Sequence, residues 1–286
     1  MDERREARES GSGGWTRWAV AGPPTVFLLA FFLVPAFIVV AASFREPGEF
    51  GGLVPLAAGW RAAFSMEAYR FLSGDLVYAQ IFASSFAVAF ATTLICVVLA
   101  YPLAWLIARS PRRRRDLLVL LVILPFASNF LVRIYAWIML LGPANLLYTP
   151  FAVIAGMVYV HLPFMVLPLY TNLEKHDPAL LEAAQDLGAN AWTRFWRVTF
   201  PLSLPGIYSG SALVFIPVLG MFAVPELLGG TGDILIGNLI KEQFLDNRDW
   251  PLGSALSIGL TIAVLACAGI AAAGARRGLQ GTEAVS

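Results

Sequence analysis

The chain has 286 residues, 58% of them hydrophobic and 14% charged, with a mean hydropathy of +0.70 and a formal net charge of +1. Soluble domains carry about 25% charged residues, so a soluble core of this size could not hide so much apolar surface and a bilayer is the better solvent. The small net charge argues neither for nor against nucleic acid; the placement of the 18 Arg and 2 Lys carries more than their sum.

Residues 1–17 form a charged, Gly/Ser-containing tail that is expected to be disordered. The apolar run after it is longer than a signal-peptide core of about 7–15 residues and reads as an uncleaved first span. A membrane domain over 18–277 then holds six apolar windows. They cover Val20–Ser43, Ile81–Ala108, Leu117–Leu141, Phe151–Thr171, Leu204–Leu228 and Ser254–Ala275. Pro35, Pro102, Pro163 and Pro217 fall within them, which neighbouring membrane helices tolerate. A second tail, 278–286, follows. The fold class is therefore all-α, a multi-pass membrane protein with six transmembrane helices.

Orientation follows from the basic residues. Arg4, Arg5, Arg8 and Arg17 precede the first span, and Arg109 and Arg112–Arg115 link the second to the third. Lys175, Arg194 and Arg197 link the fourth to the fifth, and Arg276 and Arg277 follow the last. All of these fall on one side of a six-span chain, which the positive-inside bias makes cytoplasmic, with both termini. The Arg109–Arg115 cluster between two apolar spans reads as topology plus anionic lipid, not nucleic acid. Of the outer segments, Arg45–Gln80 is long and has a short helix near Met66–Leu72; Gly229–Gly253 is long, and Gly142–Pro150 is short.

Catalytic and metal chemistry find no purchase. Cys96 and Cys267 lie in apolar runs and read as small hydrophobes. With His161 and His176 they lack the spacing of a site with about four ligands. A membrane enzyme would need a clustered His/Asp/Glu or Ser/His/Asp set. An ion-coupled secondary transporter would need midplane carboxylates, of which the spans offer few.

The cytoplasmic loop 174–201 is different. Asp177 is a good N-cap, Pro178 suits the first helical position, and Ala179–Leu187 favours helix. Gly188 can end that helix in a left-handed conformation, and Asn190 can cap a second helix to about Val198. Pro201 and Pro205 punctuate the start of span five. Trp192, Phe195 and Trp196 form an aromatic cluster where a connector would be polar. Two readings stay open on this ground alone: a rigid knob that docks into a partner, and an interfacial helix pair resting among lipid headgroups.

The spacing of Glu182, Ala183, Ala184, Gly188, Val198, Phe200 and Pro201 resembles the EAA loop of ABC importer permeases. Val198 and Phe200 stand where Ile and Leu are usual. The resemblance implies the type I ABC importer fold and a permease domain over 18–277. It makes the loop a coupling helix, with Glu182, Ala183, Ala184, Gly188, Val198 and Pro201 as the ATPase-coupling residues. Lys175 and Lys241 sit in no Gly-Lys-Ser/Thr sequence, so the chain lacks a phosphate-binding loop and the ATPase must be a separate chain. No cofactor is expected on this chain; ATP and magnesium belong to that ATPase.

From Tyr69 to Ala275 the chain is similar to the first permease subunit of spermidine/putrescine importers. The residues are Leu124–Phe126, Arg133–Trp137, Leu162–Met165, Pro168–Tyr170, Gly188–Ala189 and above all Ile236–Pro251. The link after Leu141 is shorter than in that subfamily. The resemblance implies a bacterial inner-membrane importer with an ATPase dimer, a second homologous permease and a soluble binding protein that delivers a polyamine. An opine or another small organic solute is the alternative cargo. Ionisable residues inside spans are functional candidates. Glu226 is expected to line the outer cavity mouth and attract a cationic amine, with Arg133 as its partner in the closed gate, against a reading in which both snorkel to the interface as anchors. Tyr135, Trp137, Tyr159 and Phe222 could supply aromatic faces to an ammonium, against ordinary packing. Gly206 and Gly210 form a small-xxx-small pattern that lets helices approach.

Overall fold

The computed structural model describes residues 3–48, 51–55, 64–230, 232 and 234–283, with side chains described between Ala19 and Gly269. Among the described residues, five helices are long and apolar enough to cross a bilayer, and six if one bent pair counts as a single span. In chain order the elements are α1 (Glu3–Ser43), α2 (Glu67–Gly74), α3 (Leu76–Arg109), α4 (Arg112–Ile123) and α5 (Phe130–Leu141). They continue as α6 (Pro150–Leu173), α7 (Pro178–Asp186), α8 (Ala191–Arg194), α9 (Phe200–Gly220), α10 (Ala223–Leu228), α11 (Ile236–Leu245) and α12 (Trp250–Glu283). The chain divides into two units, Met1–Ser73 with Gln243–Gly259, and Gly74–Glu242 with Leu260–Ser286.

In the first unit, α1 is an apolar rod whose Phe27, Phe31, Phe32 and Phe37 stay exposed within the chain. Its end is fastened to the following segment. The Ser43 and Tyr69 hydroxyls pair at 2.8 Å, and Phe44 stacks on Phe64 with centroids 5.7 Å apart. The Gly52 N–H donates to the Arg248 carbonyl at 2.7 Å.

The second unit is built on α3, α6 and α9. Small residues of α3, Ala89, Cys96, Ala100 and Ala104, are fully buried, so backbones approach closely. On α9, a Cβ on Gly206 would lie 2.8 Å from the Asn172 Cβ and one on Gly210 2.6 Å from the Met165 sulfur of α6. The expected small-residue contact is thus present. His161 is buried on α6, its Nδ1–H donating to the Met157 carbonyl at 2.8 Å. It packs the helix core, as expected for a residue outside any catalytic cluster.

Several boundaries differ from the sequence reading. Helix α1 reaches back to Glu3, where a disordered tail is expected, and α12 runs on to Glu283. Residues Glu3–Glu9 are good helix formers, and an apolar span already supplies the costly nucleus, so extension is favoured. Residues 1–2 and 284–286 lie outside the described residues. The third window is no straight span: Arg112–Ala127 and Phe130–Leu141 meet at 92°. Leu124–Ala127 tightens into a 3₁₀ turn around Pro125, and the Asn129 side chain accepts from Leu131 N–H at 2.8 Å to start α5 afresh. The fifth window also breaks. Helix α9 stops at Gly220, Met221 is extended, and α10 begins at Ala223. Cys267 is exposed, unlike buried Cys96.

Candidate coupling loop and outer mouth

Helix α7 starts as the sequence predicts. The Asp177 carboxylate accepts from Ala179 N–H at 2.9 Å, and Pro178 takes the first turn, where no intrahelical donor is missed. It ends in a Schellman closure: Ala189 N–H donates to the Ala184 carbonyl at 3.0 Å and Gly188 N–H to the Gln185 carbonyl at 2.8 Å. Gly188 holds φ +80°, while a Cβ there would meet nothing within 4 Å. Backbone conformation, not space, demands glycine.

The second helix then departs from expectation. Asn190 caps it, its Oδ1 accepting from Thr193 N–H at 2.8 Å. It does not end near Val198 but runs as one helix over Ala191–Gly220, 30 residues. Phe195–Thr199 adopt a wider π turn directly before Pro201. Proline lacks an N–H and its ring presses on the preceding turn; the widened turn absorbs both, so Pro201 and Pro205 sit inside a continuous rod. With about 1.5 Å rise per residue, the rod carries any displacement of the loop about 45 Å along its axis.

The two arms are braced. Arg194 Nη1 donates to Gln185 Oε1 at 2.7 Å. Phe195 meets Trp196 edge-on at 5.1 Å and Tyr101 of α3 at 5.5 Å. The Tyr101 and Ser203 hydroxyls pair at 3.2 Å. Arg115 binds Glu174 at 2.5 Å across to the end of α6. A cleft of about 510 Å³ opens between α7 and the rod, with Glu182, Arg109, Arg194 and Val198 in its wall. Glu182 and Ala183 are exposed, Ala184 and Val198 half-buried, and Pro201 exposed. Helix α7 has no buried residue. Leu187 is 89% exposed and Trp192 70%, an apolar tip that the described residues leave mostly uncovered.

The opposite end of α6 holds the second group. Glu226 on α10 lines an open cleft of about 700 Å³ with Tyr148, Pro225, Gly229, Gly230, Ile234 and Asn238. Its Oε1 accepts from Lys241 Nζ of α11 at 2.9 Å. The expected pairing with Arg133 is absent. Beyond the bend before α5, the Arg133 guanidinium lies 5.7 and 5.9 Å from the Phe126 and Phe130 rings, and it makes no ion pair among the described residues. The 92° break takes α5, and Arg133 with it, off the line of a straight third span.

Trp137 and Tyr159 pack edge-on at 5.7 Å against the core, so ordinary packing accounts for them. Tyr135 is exposed on α5. Phe222 is exposed at the α9–α10 break, its carbonyl accepting from Asn238 Nδ2 at 3.0 Å. Lys241, Asn238 and Tyr148 are not among the mouth residues that the sequence singles out; α11, which carries Asn238 and Lys241, lies within the outer segment Gly229–Gly253.

The residues that form this arrangement match the family described as "Binding-protein-dependent transport system inner membrane component" over 100–276. The chain belongs to that family: it is an ABC importer permease subunit of the inner membrane, a non-catalytic component of a binding-protein-dependent transport system. Among its relatives, it is similar to the spermidine/putrescine transport system permease protein PotB of Haemophilus influenzae. They are 42% identical over 255 residues, 82% of this chain and 86% of the relative. The Escherichia coli K12 protein of that name is 41% identical, covering 82% of this chain and 89% of its own length. A bacterial ABC transporter that imports the acidic polysaccharide alginate has a chain of the same fold, with a TM-score of 0.67 at 17% identity, covering 95% of this chain and 99% of that one. A second structure of the alginate transporter, in complex with its alginate pentasaccharide-bound periplasmic protein, aligns with a TM-score of 0.64.

Proposed function

We propose that this chain forms half of the translocation pathway of an ATP-driven polyamine importer, with spermidine or putrescine as cargo. The carrying observation is 42% identity across 82% of the chain to a permease named for those solutes. A second homologous permease completes the pathway, an ATPase dimer binds ATP and magnesium, and a soluble binding protein delivers cargo. Both termini and the loop 174–201 face the cytoplasm, in keeping with the arginine distribution. Glu182, Ala183, Ala184, Gly188, Val198 and Pro201 couple the ATPase to the spans. A braced, capped α7 with an uncovered Leu187 and Trp192 suits a knob seated in a partner's groove better than a plain connector. When the ATPase dimer closes, the knob moves and the continuous rod Ala191–Gly220 carries the movement to the outer end.

The test is reconstitution. The four-component complex in proteoliposomes is expected to take up radiolabelled putrescine or spermidine with ATP inside and liganded binding protein outside. Uptake by this chain alone on a proton or sodium gradient would overturn the reading. Uptake of an opine instead would keep the importer and change the cargo; the tight link Gly142–Thr149, with positive φ at Asn145 and Tyr148, is the departure that favours such a change.

A further inference from the structure

Three observations at the outer mouth remain unexplained by an importer permease as such. The first is that Glu226 is already occupied. Its carboxylate and the Lys241 ammonium touch at 2.9 Å, yet their side chains keep 43% and 25% of their exposure. Both groups stand where solvent or cargo can reach them. The second is an imbalance beside them. Asn238 donates through Nδ2 to the Phe222 carbonyl at 3.0 Å, which fixes the orientation of its amide. The remaining oxygen, Oδ1, is buried with no hydrogen-bond partner among the described residues. A buried acceptor without a donor is destabilising. The third is placement. Asn238 and Lys241 lie three residues apart on α11, a spacing at which helix side chains are neighbours.

We propose that Lys241 is a tethered stand-in for the cargo's ammonium group, an assignment that rests on the polyamine reading above. With the cleft empty, Lys241 neutralises Glu226. An arriving primary ammonium takes the carboxylate, and the Lys241 ammonium turns back one helical turn to the waiting Asn238 Oδ1. The chemistry of the exchange is symmetrical. A lysine side chain and a polyamine terminus are both a primary ammonium on a methylene chain, each with three donors and one positive charge. At Glu226, one ammonium–carboxylate contact is therefore exchanged for another of the same kind. Glu226 is the one carboxylate among the described residues that line the cleft, and two unscreened ammonium groups a few ångströms apart repel, so occupancy is exclusive. The orphan oxygen gives the displaced cation a partner, so arrival of cargo leaves fewer unsatisfied groups than before.

Such a site suits passage. A pathway residue must hold cargo well enough to admit it and weakly enough to release it. A free carboxylate would trap a cation; a carboxylate with a competing tethered cation returns it. The same logic selects cargo. Primary ammonium groups can replace every donor that Lys241 offers, whereas a quaternary ammonium carries charge and no donor. The exposed Tyr148 ring in the same cleft offers a π face to a second charge of the cargo.

The test uses the complete complex in proteoliposomes, with radiolabelled putrescine as probe. Lys241→Arg keeps the charge and an ion pair, but a forked guanidinium grips a carboxylate through two bonds. It is expected to slow uptake about tenfold at saturating binding protein. A merely structural ion pair would tolerate arginine, so wild-type uptake by Lys241→Arg would overturn the proposal. Lys241→Met removes the competitor and keeps the stem. It is expected to retain about tenfold more putrescine on the purified complex, and adding Glu226→Gln is expected to abolish that gain. Unchanged or weaker retention by Lys241→Met overturns the proposal, as does a gain that survives Glu226→Gln. Putrescine uptake by the wild-type complex checks the cargo reading itself: its absence removes both, whereas uptake with indifferent Lys241 variants removes this proposal alone.

Discussion

The two ends of α6 are held by different means. At the Glu174 end, the loop is closed on its own backbone, with two carbonyls satisfied by the Schellman turn and two N-caps on backbone N–H groups, and aromatic rings, the Arg194–Gln185 bond and the Arg115–Glu174 ion pair only brace that closure. At the Glu226 end, two short helices meet through side chains, one ion pair and one amide bond, around an open cleft. Backbone closure resists exchange because no solvent or ligand group can replace it without unwinding a helix. A part-exposed ion pair contributes little to stability, about 0–1 kcal/mol, and any ammonium can take its place. The contrast suits the two tasks proposed for these ends: a joint that transmits force has to be stiff, and a mouth that passes cargo has to let go.

The sharpest way to break this contrast is at Gly188. Proline there cannot adopt φ +80° and removes the N–H that closes on Gln185. Gly188→Pro is expected to reduce coupled uptake more than about a hundredfold, the scale of misplacement in a geometry-dependent step. Quantification in isolated membranes is expected to find the chain inserted at normal levels. Lost insertion would make the loop a folding device instead. A charge at half-buried Ala184 is expected to have the same outcome.

Next in size is Glu226→Gln. It keeps the shape and a hydrogen bond to Lys241 while removing the negative charge proposed to draw cargo. Putrescine uptake is expected to fall about tenfold, equivalent to about 1.4 kcal/mol. Uptake at the wild-type rate would leave the mouth without a cation site. The smallest effect is expected at Arg133. With aromatic rings for neighbours and no ion pair among the described residues, Arg133→Gln is expected to change uptake less than about twofold, in line with a substitution away from any paired charge. A large loss would revive the gate role for it that the geometry has withdrawn.

How far the molecule was legible can be followed residue by residue. Asp177, Pro178, Gly188 and Asn190 act over one to five residues, and each does in the fold what its type and spacing foretell. Apolar windows likewise announced helices, because burial in lipid depends on composition summed along a segment. Breaks inside those windows were hidden. Leu117–Leu141 and Leu204–Leu228 are mostly apolar, with one charged residue each, Arg133 and Glu226, and hydropathy does not register the turn at Pro125 or the extended Met221. Conversely, Pro201 looks like a helix breaker and is none, since a π turn takes up its strain.

The sequence by itself determined the medium, the all-helical class, the place of the capped loop and the family, through features that are local or additive along the chain. The tertiary structure alone decided which charges meet. The sequence reading pairs Glu226 with Arg133; in the fold its partner is Lys241, 15 residues further on at 2.9 Å. Ion pairs depend on the direction of two helices and the last ångström of two side chains. A bend of 92° in one span is enough to reassign them.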